Sequence, residues 1–370
     1  MRRASSRGRG AGPAARLPGP LRLWIGVGGA CLIGLSLAIS LPGAKARPAA
    51  PTRFSSALSL DAYASAAAET RRIVRASWQG GPTTASDGEV VNVNVADSIP
   101  DPTAVRQRWA NFLAGLVHGP ELQLITVYVV PGTEVGADCG GPRILGCYGD
   151  QQLLIPNDVV SGVTPEEVAR HEYGHHVANN RLDTPWPAVD WGPKRWASQT
   201  GVCAKAQQGL LFPGDESDHY KLNPGEIWAE TYRVLNETKL GMPVTWQIVD
   251  GTFMPDGTAL SLAEQDVTTP WTTSTVHVTR ARFAKGKKRW TLTVPTPLDG
   301  NLNVTLTLPR GRTFQLTLLD SDGKTVLVTG LWTARTAQAA NFTICGQRSV
   351  IVRVAGDGRA GKFTVVTTTP

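Results

Sequence analysis

The chain has 370 residues, of which 41% are hydrophobic and 18% charged, with 39 glycines and 26 prolines. That length leaves room for two domains, and low charge with raised glycine and proline argues against a helical bundle and for a loop-rich chain containing β-structure. The formal net charge of +7 does not point to a nucleic-acid partner. Arg2, Arg3, Arg7, Arg9, Arg16, Arg22 and Lys45 crowd into the first 46 residues without an acid, and residues 47–370 carry 30 basic against 30 acidic side chains.

Residues 1–46 read as a signal peptide or an N-terminal membrane anchor. The basic start leads into "LWIGVGGACLIGLSLAISL" at 23–41, then "PG" and the small-x-small pattern "AKA" ending at Ala46, the layout of a cleaved secretory leader. The apolar run is also just long enough to span a bilayer uncleaved. Either way the rest is exported, with membrane contact only through this segment. Residues 47–88 read as a linker or pro-segment. Within them 61–77 is helix-compatible and "QGGPTTASDG" is a break.

From 89 to 255 strands and helices alternate. "EVVNVNVAD" (89–97) alternates as a half-buried strand does, 103–117 carries a helical apolar stripe, and "LQLITVYVV" (122–130) is a strand closed by "PG". "QQLLIP" (151–156) reads as a short strand ending in proline, which favours an edge position where an extended peptide could pair. Thr164, Pro165 and Glu167 supply a cap, a first-turn proline and a capping box for a helix running to about Asn180. A loop rich in Trp and Pro follows at 182–193, then a helix-compatible stretch at 194–208 and a second clear helix at 223–238.

Beyond 250 a connector leads into alternating runs from 271 to 370. About seven short strands separated by turns such as "SDG" and "GDG" argue for an antiparallel β-sandwich. Four cysteines lie outside the leader: Cys139, Cys147, Cys203 and Cys345. An even count in an exported chain suggests disulfides, though cysteine spacing alone leaves three pairings open. The short glycine-rich loop "CGGPRILGC" favours Cys139 with Cys147, leaving Cys203 with Cys345 to tie two domains. A zinc site built from cysteines is disfavoured, because no C-x-x-C pair is present.

The chemistry concentrates in "VARHEYGHHVANNR" (168–181). His171 and His175 lie four apart and share one helix face, so both imidazoles can meet one ion, and Glu172 flanks it within reach of a bound water. A catalytic zinc needs a third protein ligand and an open position. Ala178 and Arg181 stand where an extended three-histidine motif would need Gly and His. Glu226 and Glu230, four apart on the second helix, offer one carboxylate for the metal and another to accept a ligand histidine's N–H. An acidic, solvated first turn is the competing reading of that pair. His219 is a rival third ligand. His176 points away from the pair's face and is expected to pack or hydrogen-bond.

"HEYGH" followed by "EIWAE" resembles the glutamate-zincin (gluzincin) metallopeptidases, in their thermolysin-like and lethal-factor-like members. "GCYGDQQLLIP" ahead of "ARHEYGHHV" is similar to bacterial neutral zinc metallopeptidases. The resemblance implies an α+β zincin-like domain at 89–255, with a small mixed sheet and active-site helices. It implies Zn2+ on His171, His175 and Glu226, Glu172 as general base, Glu230 supporting a ligand histidine, and Tyr220 by position as an oxyanion donor. The C-terminal module is similar to the β-sandwich of the pre-peptidase C-terminal type. The expectation is a monomeric, exported zinc peptidase that hydrolyses peptide bonds through a zinc-activated water. A surface binding or adhesion protein with a structural zinc, and a hydrolase acting on cell-wall peptides, are the alternatives.

Overall fold

The computed structural model describes residues 56–59 and 77–370. The leader and nearly all of the predicted 61–77 helix lie outside the described residues.

The first part of the chain builds a mixed sheet with helices packed on it. In chain order its elements are β1 (Ser56–Ser59), β2 (Trp78–Thr84), β3 (Val90–Ala96), α1 (Pro102–Ala114), β4 (Thr126–Val130), α2 (Gly132–Cys139), β5 (Ile144–Gly149), β6 (Gln152–Pro156) and α3 (Pro165–Asn179). The six strands lie in the order β1-β5-β6-β4-β3-β2. β3, β4 and β6 are parallel, while β1, β2 and β5 join by antiparallel pairing. Val91, Val93, Val95, Val127, Val129, Leu153, Leu154 and Ile155 are fully or almost fully buried along the central strands. Runs of this kind mark strands covered on both faces.

Three expectations change here. The predicted break "QGGPTTASDG" is strand β2 as far as Thr84, so the sheet starts before residue 89. The predicted strand 122–130 begins with a 3₁₀ turn at Pro120–Leu124, and strand pairing starts only at Thr126. "QQLLIP" is not an edge strand, because the second half of the cysteine loop folds into β5 and covers it. The β5–β6 register ends at Leu154, so the missing N–H of Pro156 faces no β5 carbonyl and the proline costs no ladder bond there.

Helix α3 starts as its sequence dictates. Thr164 accepts from the Glu167 backbone while the Glu167 carboxylate reaches back to the Thr164 N–H at 2.8 Å. From Val168 to Ala178 every residue is buried. A helix enclosed all round that still carries Arg, Glu and three His buries polar groups at a cost, and such groups need partners.

After α3 come β7 (Leu182–Asp183), β8 (Trp186–Pro187), α4 (Ala188–Trp191), α5 (Lys194–Thr200), α6 (Val202–Gln207), α7 (Pro224–Lys239) and α8 (Gly257–Thr268). The predicted 194–208 helix is broken at Gly201 (φ 71°), and the predicted connector after 250 contains α8. The remainder is a β-sandwich of two antiparallel four-stranded sheets. Its strands are β9 (Thr275–Phe283), β10 (Arg289–Pro295), β11 (Gly300–Thr307), β12 (Phe314–Asp320), β13 (Val326–Thr329), β14 (Ala337–Ile344), β15 (Ser349–Gly356) and β16 (Gly361–Thr369). One sheet runs β10-β15-β12-β13 and the other β14-β11-β16-β9. Leu302, Val304 and Leu306 alternate inward on β11 and meet Val350, Val352 and Val354 of β15 and Leu316 and Leu318 of β12 in a separate core.

The two parts are tied covalently and through buried polar contacts. Cys139 pairs with Cys147 inside the first part, and Cys203 pairs with Cys345 across the junction. Disulfides of this kind belong to an oxidising, extracellular-type environment. Among the described residues no helix is long and apolar enough to cross a membrane. At the junction the fully buried Lys194 ammonium meets Asp183 at 2.6 Å and donates to the carbonyls of Thr184 (2.8 Å) and Asp299 (3.0 Å). Ser198 Oγ accepts from the Asp299 N–H (2.9 Å), and Arg348 pairs with the Asp299 carboxylate at 2.6 Å.

Burial pushes the Asp183 carboxyl from 3.8 up to about 7 against the pull of Lys194. Between 3.8 and about 7 the folded chain therefore holds a proton that the unfolded chain has lost, and stability falls as pH rises through that window. Asp183→Asn lacks this dependence. Thermal melts across the window should show the variant gaining on the parent as pH rises; a constant offset would contradict it.

Candidate metal centre

The site forms where α3 crosses α7. Helix α7 is fixed at its start by Asn223, whose side chain accepts from the Gly225 N–H (3.0 Å), with Pro224 in the first turn. Gly174, inside "HEYGH", lets the helices meet. A Cβ built there would lie 2.8 Å from the Cα of Ala229 and 3.2 Å from the Cβ of Tyr232. The Trp228 indole N–H donates to the Gly174 carbonyl at 2.8 Å and locks the approach.

Donor atoms of three residues converge at this crossing. His171 Nε2 lies 3.1 Å from Glu226 Oε2, His175 Nε2 lies 3.3 Å from Glu226 Oε1, and the two Nε2 atoms are 3.3 Å apart. Ligands about 2.05 Å from a tetrahedral zinc stand about 3.3 Å from one another, the spacing at which each imidazole meets the other and one oxygen of the Glu226 carboxylate. On its far side His171 Nδ1 lies 2.9 Å from Glu230 Oε1. If Nδ1 carries the proton in that bond, Nε2 is left as a lone pair directed at the other donors. Lone pairs and a carboxylate this close repel unless something positive lies between them. Glu230 is held in turn by Arg233, whose Nε and Nη2 reach Glu230 Oε2 at 3.0 and 2.7 Å.

The charge count agrees with the geometry. Glu172, Glu226, Glu230 and Glu237 are buried around the crossing, against the buried guanidinia of Arg170 and Arg233. Glu216 adds a further carboxyl beside Glu226 and Glu172, so with neutral histidines acids outnumber the guanidinia, a surplus that a divalent cation would offset. In a cation's absence a proton serves instead. Burial opposes a charged His171, but the Glu226 and Glu230 carboxylates outweigh it and push the ring up to about 10. Burial also opposes ionised Glu226 and Glu230. His175 and His171 nevertheless pull Glu226 below the usual carboxylate range, and His171 with Arg233 does the same for Glu230.

The other predicted residues divide. Glu172 is fully buried on α3, its Cγ against Gly146 of β5, where a Cβ would come within 3.3 Å of it. Tyr220 is also buried, and its hydroxyl has no hydrogen-bond partner among the described residues. Burial first, then the Glu226 and Glu216 carboxylates, hold that phenol well above its ordinary range, so it stays protonated. His219 is engaged elsewhere, 2.7 Å from Asp215 and stacked on Phe212. His176 lies within 2.8 Å of the Glu121 carbonyl through Nε2, and burial lowers it to about 4.

Two contributors escape sequence reasoning. Glu216, exposed as a residue, turns its carboxyl toward Glu226 and Glu172 and accepts from Asn223 Nδ2 at 2.8 Å. It sits in a loop without periodicity, so nothing in the sequence marks it. Arg233 did leave a signal, the E-x-x-R spacing from Glu230 along one helix face.

No family model matches the chain, and no curated protein matches it. Solved structures similar to it include the pre-peptidase C-terminal domain of a collagenase from Bacillus anthracis, 17% identical over 24% of this chain and 87% of that one, with a TM-score of 0.21. The SPBc2 prophage-derived protein YomS is 13% identical over 27% of this chain and 99% of its own, with a TM-score of 0.20. Bacillus endospore appendages, described as disulfide-linked pili, are 15% identical over 26% and 90%, with a TM-score of 0.15. Likenesses at this level carry no argument about the chain's fold or activity.

Removing the support of a ligand histidine typically weakens metal binding 10–100-fold. Glu230→Ala should lose zinc affinity by about that factor in competition titrations with a chromogenic chelator; unchanged affinity would detach Glu230 from the site. Gly174→Ala drives a methyl into the backbone of α7. It should cost about 1–3 kcal/mol of stability in denaturant melts and weaken zinc binding alongside.

Proposed function

We propose that the chain is an exported zinc-dependent peptidase of gluzincin-like, zincin-type architecture, hydrolysing peptide bonds with Glu172 as general base. The observation that carries the reading is the cluster of His171, His175 and Glu226 with a further buried carboxylate, Glu172, beside it. A purely structural site would close its fourth position with another ligand; an extra buried acid one residue from a ligand is instead what proton transfer requires. Two histidines and a glutamate suit zinc. When bound, that ion lowers the pKa of a water and polarises a carbonyl.

The chain's own residues supply the rest. Glu172 takes a proton from the attacking water and passes it to the departing amine. Its burial against Gly146 fixes the carboxylate and shields the transfer from bulk water. Tyr220, protonated and with its hydroxyl unengaged, is the donor for charge developing on the carbonyl oxygen. Glu230 and Arg233 hold the His171 ring in orientation. Export rests on the leader together with the two disulfides.

Glu172→Gln should lower kcat/KM on a fluorogenic peptide by about 10²–10⁴-fold while zinc content, read by metal analysis, stays at the parent's level. Glu226→Ala should lose both metal and rate. Equal turnover by the parent and Glu172→Gln would overturn the reading. A parallel digest of casein and peptidoglycan fragments decides between protein and cell-wall peptide as substrate.

A further inference from the structure

One edge of the sheet passes directly beside Glu172, and the chain itself occupies it. That edge belongs to β5. At Gly146 the sheet packs tightly on α3, since a Cβ there would meet Val168 Cγ1 at 2.4 Å and Glu172 Cγ at 3.3 Å. Strand β1 lies antiparallel on the outer side of β5, pairing Ser56 with Tyr148, Ala57 with Cys147, Leu58 with Gly146 and Ser59 with Ile144. It lies against α3 as well as β5. An extended peptide added to the β5 edge would follow this path, past the residue that packs on Glu172.

We infer that the outer edge of β5 is the binding edge for an extended peptide and that Ser56–Ser59 is its resident occupant, competing with any other chain for the place. The inference rests on the peptidase reading for what the edge presents to the site, but the occupancy itself is a matter of strand pairing. Main-chain ladder bonds give such added strands their affinity without demanding a particular sequence. A strand of four residues with a register shift between Leu58 and Ser59 makes a short ladder, so it can be displaced. Its belonging to the same chain compensates, because an intramolecular partner competes at an effective concentration that can reach the order of millimolar. The site beside this edge is closed. His171, Glu172 and Glu226 are 0% exposed and His175 is 1% exposed, whereas a hydrolytic site has to admit its substrate.

The test weakens β1 in the full-length, zinc-loaded protein. Successive backbone N–H groups of a strand point to opposite sides, so Ala57→Pro with Leu58→Pro removes a ladder donor whichever of the two faces β5. The probe is a labelled peptide of the chain's own sequence, RFSSALSLDA, against a scrambled control, with Glu172→Gln carried in every protein so that binding is read without turnover. The double-proline variant should bind the probe at least about tenfold more tightly than the parent, as release of a millimolar internal competitor requires, and its β5 amides should exchange faster with deuterium. Equal probe binding and equal exchange, in a variant with the parent's near-ultraviolet circular dichroism, would overturn the inference. Should the double proline fail to fold, Ala57→Gly with Leu58→Gly carries the test, with the same direction expected and the same absence of change decisive. With Glu172 restored, the loosened variants should cleave peptide faster than the parent. A gain in binding with no cleavage by either protein would leave the occupancy standing and remove the peptidase reading alone.

Discussion

The closeness of α3 and α7 is the constraint on which the rest of this structure depends. Two imidazoles and a carboxylate from two helices can meet at 3.1–3.3 Å only if the backbones come nearer than ordinary side chains allow. Gly174 provides that approach, and the Trp228–Gly174 bond holds it. Farther along α7, the Tyr232 hydroxyl donates to the Val117 carbonyl at 2.6 Å and Asn236 accepts from the Val117 N–H at 2.8 Å. The helix is therefore clamped at both ends of its contact, and the separation of the donor atoms becomes a property of the fold and not of side-chain rotamers.

Electrostatics sets a second condition. Buried carboxylates in such number are tolerable only where each has a partner. Arg233 answers two of them, touching Glu230 and, at 2.6 Å, Glu237, while Arg170 lies 3.7 Å from Glu237 on its other side. Both guanidinia are spent on this chain of alternating charge. Glu226 takes its partners from the two histidines instead, and Glu172 lies one residue from the first of them. The arrangement concentrates negative charge at one point, where it is useful to a cation and costly to anything else.

How much of this is legible in the sequence depends on the range of the interaction. His171, Glu172 and His175 are set by helical spacing, and Glu226 with Glu230 by the same spacing on a second helix, so each pair can be read locally. The capping box at Thr164 and the alternation of β11 and β15 are legible for the same reason. The misread elements are decided by partners distant in the chain. "QQLLIP" looks like an edge because its proline ends it, but whether a strand is an edge depends on what lies beside it, and β5 came from a stretch that reads as a disulfide loop. Gly174 passes for a small residue in a motif until Ala229 is found against it. Glu216 gains its place only because the loop ahead of α7 folds back over the crossing.

The sandwich has a core that shares no residue with the first one, which is the mark of a separate module. Its attachment argues otherwise. Asp299 and Cys345 grip Lys194, Ser198 and Cys203 on α5 and α6. On α5, Trp196 donates its N–H to the buried Asp266 of α8 at 2.9 Å and sets its ring edge-on against Trp228, with centroids 5.5 Å apart. Trp228 is the residue whose indole holds Gly174. Contiguous packing therefore runs from the sandwich through two tryptophans to the place where α3 and α7 touch. The sandwich is thus part of the frame that keeps α7 in position, and a division into two independent halves describes the sequence better than it describes the forces.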